Sequence, residues 1–238
     1  NFISYFHCYF NIYVSSKSIA LYIFPILKRI KKILIVLVSF SVTMLIMELF
    51  IHFTHISDTA RNDFNDEIGH GLRKDHKFVL FSEGYGIKQI NNYGFYGESI
   101  TIKKKKNTIR IALLGDSYIE GVQVFERHYF GSIASSLLLT RYPNIKFELL
   151  NFGLSGVDIA DMYAYQKNMV DKFNPDLILY CISNSDLTPK YRDPLRPKTI
   201  LKNDHLFIDK EYEKSGTFRY TLFFTQNSHI MNMLNNES

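Results

Sequence analysis

Thr108–Gly121 reads TIRIALLGDSYIEG, and the rest of the chain is organised around it. Its first half, Ile109–Leu114, is a short apolar run that starts with a β-branched residue, as is typical of a strand buried on both faces. The run breaks at Gly115, which places Ser117 just beyond the carboxyl end of the strand. Open α/β sheets bind their ligands at that edge, so Ser117 lies where a nucleophile would lie. The pattern also fits a Ser or Asp N-cap of a following helix, which involves no chemistry.

The chain after this stretch alternates between helices and strands. Apolar residues at helical spacing predict helices over 125–142 and 158–173 and an amphipathic helix over 218–234, and short apolar runs predict strands over 145–150 and 176–182. Short connections and right-handed crossovers turn this order into a parallel sheet covered by helices. We therefore expect an α/β fold, a three-layer sandwich with a parallel, flavodoxin-like sheet.

A polar loop follows each predicted strand. Ser117 follows the first strand, the loop 151–156 follows the second, and the turn 183–186 follows the third. Because the carboxyl ends of parallel strands meet at one edge of a sheet, we expect these loops to converge on one crevice. This convergence favours the nucleophile interpretation of Ser117 over the helix cap.

These segments resemble the conserved blocks of the SGNH hydrolases, also called GDSL-type esterases. The match consists of Gly-Asp-Ser at 115–117, Asn-Phe-Gly-Leu-Ser-Gly at 151–156 and Asn-Ser-Asp at 184–186. The preamble Asn-Asn-Tyr-Gly-Phe-Tyr-Gly at 91–97 also resembles the membrane-anchored bacterial members. The resemblance covers about residues 90–200.

The resemblance implies roles for four residues. Ser117 is the nucleophile, and the oxyanion hole consists of the N–H groups of Ser117 and Gly156 with an asparagine side chain. The third block departs from the family's Gly-Asn-Asp, because Ser185 stands at the asparagine position. Either Asn184 shifts by one residue to supply the donor, or Ser185 replaces it more weakly. We favour Asn184.

The general base is the larger departure. Family members carry an Asp-x-x-His near the C-terminus, and this sequence has none. His229 has Gln226 at the aspartate position, His205 follows Asp204 directly, and His128 is expected at the surface. Only three strands are predicted where such sheets have four or five. We expect that a C-terminal part carrying the base is missing and that these 238 residues alone are nearly inert; a pseudoenzyme is the competing explanation.

An apolar run precedes the predicted domain. Residues 33–53 are long enough to cross ~30 Å of hydrocarbon as a helix, and four basic residues lie just before them at 28–32. The positive-inside rule keeps those residues cytoplasmic and sends the rest of the chain outward. A cleaved signal peptide is the alternative, but the run exceeds the usual apolar core and no small-x-small cleavage site follows it.

The chain therefore divides into four predicted segments. Residues 1–32 are an apolar and basic segment whose role the sequence leaves open, and 33–53 are a transmembrane helix. Residues 54–106 are an extracytoplasmic connecting region with one hairpin, in which the turn 91–97 docks on the domain surface. Residues 107–238 are an incomplete SGNH-like α/β domain.

Composition narrows the function further. The chain has 46% hydrophobic and 21% charged residues and a formal charge of +5, with the excess concentrated at 28–32 and 103–106. Neither basic cluster is interleaved with aromatic residues, so we expect no nucleic-acid partner. The two cysteines and eight histidines show no metal-ligand spacing, so we expect no metal and no cofactor. Cys181 falls inside a strand predicted to be buried. The sequence leaves the oligomeric state open.

Two functions fit these patterns. The first is a membrane-anchored SGNH-type hydrolase or O-acyltransferase that acts on acyl esters, such as acetyl esters of a cell-surface glycan. The alternative is a non-catalytic SGNH-like binding or scaffold protein of the cell envelope that lacks the base.

Overall fold

The structure is a computed structural model that describes residues 2–65, 67–80, 84–188, 199–203, 205–208 and 214–236. The side chains of 2–22, and those of 200–202, 206, 208 and 236, are outside the description. The chain divides into two compact units, Asn1–Phe50 and Ile51–Ser238.

The first unit is helical. α1 runs over Phe2–Thr54 with Pro25 inside it, so the segment before residue 28 is helical as well. The part Ile23–Thr54 is long and apolar enough to cross a membrane, and its large apolar side chains up to Phe50 are exposed except for Met44. The span predicted at 33–53 therefore belongs to a longer apolar helix, and the basic residues at 28–32 lie within that helix rather than ahead of it.

Residues 54–106 form two antiparallel hairpins where one was expected. β1 (Asn62–Asn65) pairs with β2 (Gly69–Leu72), and β3 (Lys77–Leu80) pairs with β4 (Gly86–Gln89). Buried side chains of this region belong to the same core as the sheet that follows, namely Leu72, Phe78, Ile90, Phe95 and Tyr96. The hairpins are thus packed parts of the second unit.

Asn91, Gly94, Phe95 and Tyr96 of the turn at residues 91–97 are buried, whereas Asn92 is exposed, so the turn enters the core further than a turn docked on the surface would. Asn91 has no exposed surface, and its Oδ1 accepts the Tyr93 N–H at 2.9 Å. Phe95 packs its ring 4.4 Å from that of Phe152, centroid to centroid. The asparagine satisfies the turn's backbone from within, which allows its aromatic residues to enter the core.

The centre of the second unit is a parallel sheet of three strands. β5 (Thr108–Gly115) lies between β6 (Lys146–Gly153) and β7 (Leu177–Cys181). The prediction of an α/β fold with a parallel sheet is confirmed. Gly115 is level with Gly153 on one side and with Cys181 on the other, so the three strands end at the same height.

Helices and turns connect these strands. The helices are α2 (Ser117–Glu120), α3 (Phe130–Arg141), α4 (Ile159–Asn168), α5 (Gly216–Asn227) and α6 (His229–Asn236). Single 3₁₀ turns cover Glu126–His128, Val170–Phe173 and Asn184–Leu187, and β8 (Thr199–Lys202) pairs with β9 (His205–Ile208). Each of the three predicted helices is therefore divided; the last breaks at Ser228, whose backbone is extended.

The strands β5 and β7 differ in burial. Ala112 and Leu114 of β5 have no exposed surface and belong to the same core as Met162 of α4. On β7, Leu177 is 48% and Leu179 is 41% exposed, and Cys181 is an exposed free thiol. The expectation of a fully buried third strand is wrong, because apolar composition does not reveal which elements cover a strand.

A buried arginine joins the strand β5 to its surroundings. Arg110 is 1% exposed, and its Nε and Nη2 donate to Glu148 Oε2 at 3.0 and 2.8 Å. Its remaining donors reach the carbonyl oxygens of Phe173 at 2.7 Å, Ile102 at 2.8 Å and Thr101 at 3.0 Å. Full use of the guanidinium donors allows this charge to be buried.

We expect Arg110→Ala to lower the free energy of unfolding by about 3–5 kcal/mol, because it leaves Glu148 Oε2 and three carbonyl groups without their donor. Urea unfolding in detergent, followed by near-UV circular dichroism, measures the change. Lys106→Ala is the control, since Lys106 is exposed and surface substitutions cost less than about 0.5 kcal/mol. Equal midpoints for the two variants would contradict the role of Arg110.

Candidate functional site

The predicted nucleophile begins a short helix at the end of β5. Asp116 is the N-cap of α2, and its Oδ1 accepts the Tyr118 N–H at 3.0 Å. The helix ends at Gly121, whose φ of 60° turns the chain away. Ser117 is half-buried, and among the described residues neither its hydroxyl nor its N–H has a hydrogen-bond partner. Asp116 is therefore the helix cap, and Ser117 takes no part in the capping.

The second loop lies beside this turn. Asn151 Oδ1 accepts the Gly153 N–H at 2.9 Å, and the Leu154 N–H donates to the Gly115 carbonyl at 3.1 Å. Gly156 is exposed and has a φ of 78°, a left-handed conformation that favours glycine. In the described part of the chain no acceptor contacts the Gly156 N–H. The loop thus presents one unused backbone donor.

The two loops touch through their backbones. A Cβ on Gly153 would lie 2.2 Å from the Glu120 nitrogen and 2.5 Å from the Ile119 carbonyl carbon. Only glycine permits that approach. The position of the second loop relative to the Ser117 turn is therefore set by contact between main chains.

The third loop is a capped 3₁₀ turn. The buried Asp186 carboxylate accepts the Ser183 N–H at 2.8 Å and the Ser183 hydroxyl at 2.9 Å. Ser185 Oγ is 2.7 Å from Ser183 Oγ, so its hydroxyl is already engaged. Asn184 is exposed, and no described residue hydrogen-bonds its side-chain amide. Of the two candidate donors, Asn184 is the one that remains available.

The three loops leave the sheet at one edge, because the strands that carry them end in register. The residues predicted from the sequence, Ser117, Gly156, Asn184 and Ser185, all follow those strand ends. These residues provide one hydroxyl group and three N–H donors that have no described partner, two from the backbone and one from Asn184. Such a set stabilises negative charge on an oxygen atom.

No described histidine contacts Ser117. His229 lies at the start of α6, where its Nε2 is 3.5 Å from His52 Nδ1 and 3.8 Å from Asp58 Oδ1. The other two candidate bases, His128 and His205, are exposed. Among the described residues, Ser117 therefore has no histidine as a hydrogen-bond partner, and the prediction of a nucleophile at this position is left without a general base.

Sequence reasoning missed a buried carboxylate next to the serine. Glu120 has no exposed surface, and its carboxylate accepts the Tyr96 hydroxyl at 2.7 Å and pairs with Arg61 Nη2 at 3.2 Å. Burial and the Glu120 charge raise the Tyr96 pKa well above its usual value, so the phenol stays protonated and donates. The available signal was a charged residue between Ile119 and Gly121, three residues after Ser117.

A cavity of about 640 Å³ lies elsewhere, between residues 95–101, α3 and β6. Ser117, Gly156 and Asn184 do not line it. Among the described residues no group of three His, Cys, Asp or Glu side chains is arranged to hold a metal ion. The candidate site is thus the loop cluster at the sheet edge.

Comparison with known proteins returns no family model, no curated protein and no solved structure that matches this chain. The resemblance to SGNH hydrolases therefore rests on the residues quoted above and stays a prediction.

We expect Gly153→Ala to destabilise the protein and to move the second loop, because the new Cβ meets backbone atoms that cannot rotate away. A thermal unfolding scan should show a lower midpoint. Gly216→Ala is the matched control, since a Cβ there meets only Tyr220 Cε2 at 3.9 Å and alanine favours the helix α5. A Gly153→Ala midpoint at or above that of Gly216→Ala would contradict the close approach.

Proposed function

We propose that this chain is a membrane-anchored SGNH-type serine hydrolase or O-acyltransferase that acts on acyl esters, such as acetyl esters of a cell-surface glycan. The observation that carries the proposal is the common height at which β5, β6 and β7 end. Three sequence blocks that resemble one family in the right order also follow three neighbouring strand ends. If one block resembled the family by chance, there would be no reason for the other two blocks to lie at the same edge of the sheet.

The proposed reaction begins at Ser117. Its Oγ attacks the ester carbonyl carbon while the hydroxyl proton passes to a general base. Negative charge collects on the former carbonyl oxygen, and the N–H groups of Ser117 and Gly156 with the Asn184 amide stabilise it. The carbon–oxygen bond to the alcohol then breaks, and the alcohol leaves with the proton. Water or an acceptor hydroxyl takes the acyl group from Ser117.

The finer fold assignment belongs to this proposal. The order β6-β5-β7 agrees with the first three strands of a flavodoxin-like sheet, in which the chain's first strand is central and its second lies outside it. α4 and the core residues of β5 lie on one face, and α3 contacts β6. These contacts support a three-layer sandwich.

Ser117 needs an activating base, because a serine hydroxyl is a weak nucleophile at neutral pH. Among the described residues no histidine hydrogen-bonds Ser117, and His229 is engaged with His52 and Asp58. The proposal therefore assigns the base to none of them.

We expect a fluorophosphonate probe to label Ser117 in the protein expressed from its gene. The Ser117 oxygen–phosphorus bond forms, the phosphorus–fluorine bond breaks, fluoride leaves, and the hydroxyl proton goes to the base. Labelling should disappear in Ser117→Ala and persist in Ser136→Ala, whose serine is exposed on α3. Absence of labelling in the wild-type protein would contradict the enzyme.

A non-catalytic binding or scaffold role is the second candidate, and the observation that favours it is the lack of a described histidine beside Ser117. Such a protein keeps the three donors and binds a glycan or an anionic group without covalent chemistry. An unlabelled Ser117 together with saturable glycan binding that weakens in Asn184→Ala would establish this candidate instead.

Membrane orientation is part of the proposal. The apolar helix supports an anchor, and the basic residues at 28–32 favour a cytoplasmic start. The loops that carry Ser117 and Asn184 then face outward, toward envelope substrates.

We expect a membrane-impermeant maleimide to label Cys181 in intact cells in a Cys8→Ser background, because Cys181 is exposed and outside the membrane in this orientation. Partial desolvation raises the pKa of its thiol, so labelling should be faster at higher pH. Cys181→Ser is the control. Labelling that appears only after cell lysis would reverse the orientation.

A further inference from the structure

Glu120 connects the Ser117 turn to other parts of the second unit. It ends α2, three residues after Ser117, and has no exposed surface. Tyr96 donates its hydroxyl to Oε1 at 2.7 Å, and Arg61 Nη2 lies 3.2 Å from the same oxygen. Ser155 donates its hydroxyl to Oε2. One carboxylate therefore binds three segments that are far apart in the sequence.

The stability of the fold does not by itself explain why the Glu120 carboxylate is buried among these partners. A buried ion pair gains little over well-packed apolar residues, because desolvation of the charges offsets most of their attraction. What the carboxylate adds is a fixed geometry between its partners. Two of them, Arg61 and Tyr96, come from the hairpin region 54–106, and the third lies next to Gly156.

The contact between Ser155 and Glu120 lies near the end of the second loop, at the residue before Gly156. The first residues of the loop are held by main-chain contacts, since Asn151 Nδ2 donates to the Glu120 carbonyl at 3.2 Å and Leu154 N–H donates to the Gly115 carbonyl at 3.1 Å. Gly156 is exposed and, within the described residues, makes no hydrogen bond through its N–H. The Ser155 hydroxyl on Glu120 thus holds the residue directly before that N–H.

We propose that Glu120 is a positioning residue for the oxyanion hole. It holds Ser155 so that the Gly156 N–H points at the same oxygen as the Ser117 N–H, and Arg61 and Tyr96 hold the carboxylate in turn. The inference rests on the proposed function, in which the developing oxyanion is the shared target of these two N–H groups.

The prediction separates positioning from general support of the fold. Displacement of one oxyanion donor lowers the rate of reaction at the serine, whereas loss of stability alone leaves the folded fraction reactive. Losing such a donor outright costs about 10²–10³ in rate, so we expect Ser155→Ala and Glu120→Gln to slow fluorophosphonate labelling of Ser117 by about 10- to 100-fold. The double variant should be about as slow as Glu120→Gln alone, because the contact that Ser155→Ala removes is one of those that the Glu120 change already alters.

Hydrogen exchange supplies a readout that needs no activity. Backbone amides of residues 153–158 should exchange faster in both variants, with the peptides of β5 unchanged. Glu126→Gln is the matched control, because it breaks the ion pair with Lys88 at 2.9 Å, outside the loop cluster. That control should leave both labelling and the exchange of residues 153–158 as in the wild type.

The outcomes distinguish the two claims. If wild-type Ser117 is labelled and Ser155→Ala and Glu120→Gln react at the wild-type rate, the positioning role is overturned and the proposed function stands. If wild-type Ser117 is not labelled, the proposed function falls and the oxyanion assignment falls with it. Faster exchange at 153–158 together with slower labelling supports the proposal.

Discussion

The structure depends on how closely the chain approaches itself at the carboxyl ends of β5 and β6. Neither Gly115 nor Gly153 has room for a Cβ: at Gly115 it would lie 2.9 Å from the Cys181 carbonyl oxygen, and at Gly153 it would lie 2.2 Å from the Glu120 nitrogen. The two glycines allow three strand ends and the α2 turn to meet in van der Waals contact. Each candidate site residue lies within a few residues of this contact, so the contact sets the position of its backbone.

Two buried charges secure the sheet at its opposite ends. Arg110 lies near the start of β5 and binds backbone carbonyls at Thr101 and Ile102, while Glu120 lies just beyond the end of that strand and binds Arg61 and Tyr96. Both charges therefore find partners in the residues that precede the sheet. The segment between the apolar helix and the α/β domain is a structural part of that domain, although its turns and glycines are typical of a linker.

Local patterns predicted the strands and their loops well, because the alternation of apolar runs with turn residues can be read from the local sequence without knowledge of tertiary contacts. Burial was harder to predict. The turn at 91–97 reads as a surface segment, yet Asn91 satisfies its backbone internally and Phe95 enters the core. β7 reads as buried, yet Leu177 and Leu179 are exposed. Glu120 escaped notice since a charge in a short helix normally faces solvent. Each of these misses concerns tertiary contacts, which a periodicity does not contain.

The lack of a histidine beside Ser117 among the described residues does not by itself decide between an enzyme and a binding protein. General-base help contributes about 10²–10⁴ in rate, and in serine hydrolases the oxyanion hole with substrate binding retains about 10³–10⁴ over water after the triad is lost. An enzyme whose donors are correctly placed would therefore still react slowly with an activated phosphonate. In a binding protein the same donors would contact a ligand, and they would not surround the oxygen atom that becomes negative when the serine attacks. The geometry of Ser117, Gly156 and Asn184 is thus the deciding property, and it depends on the contacts that hold the second loop against α2.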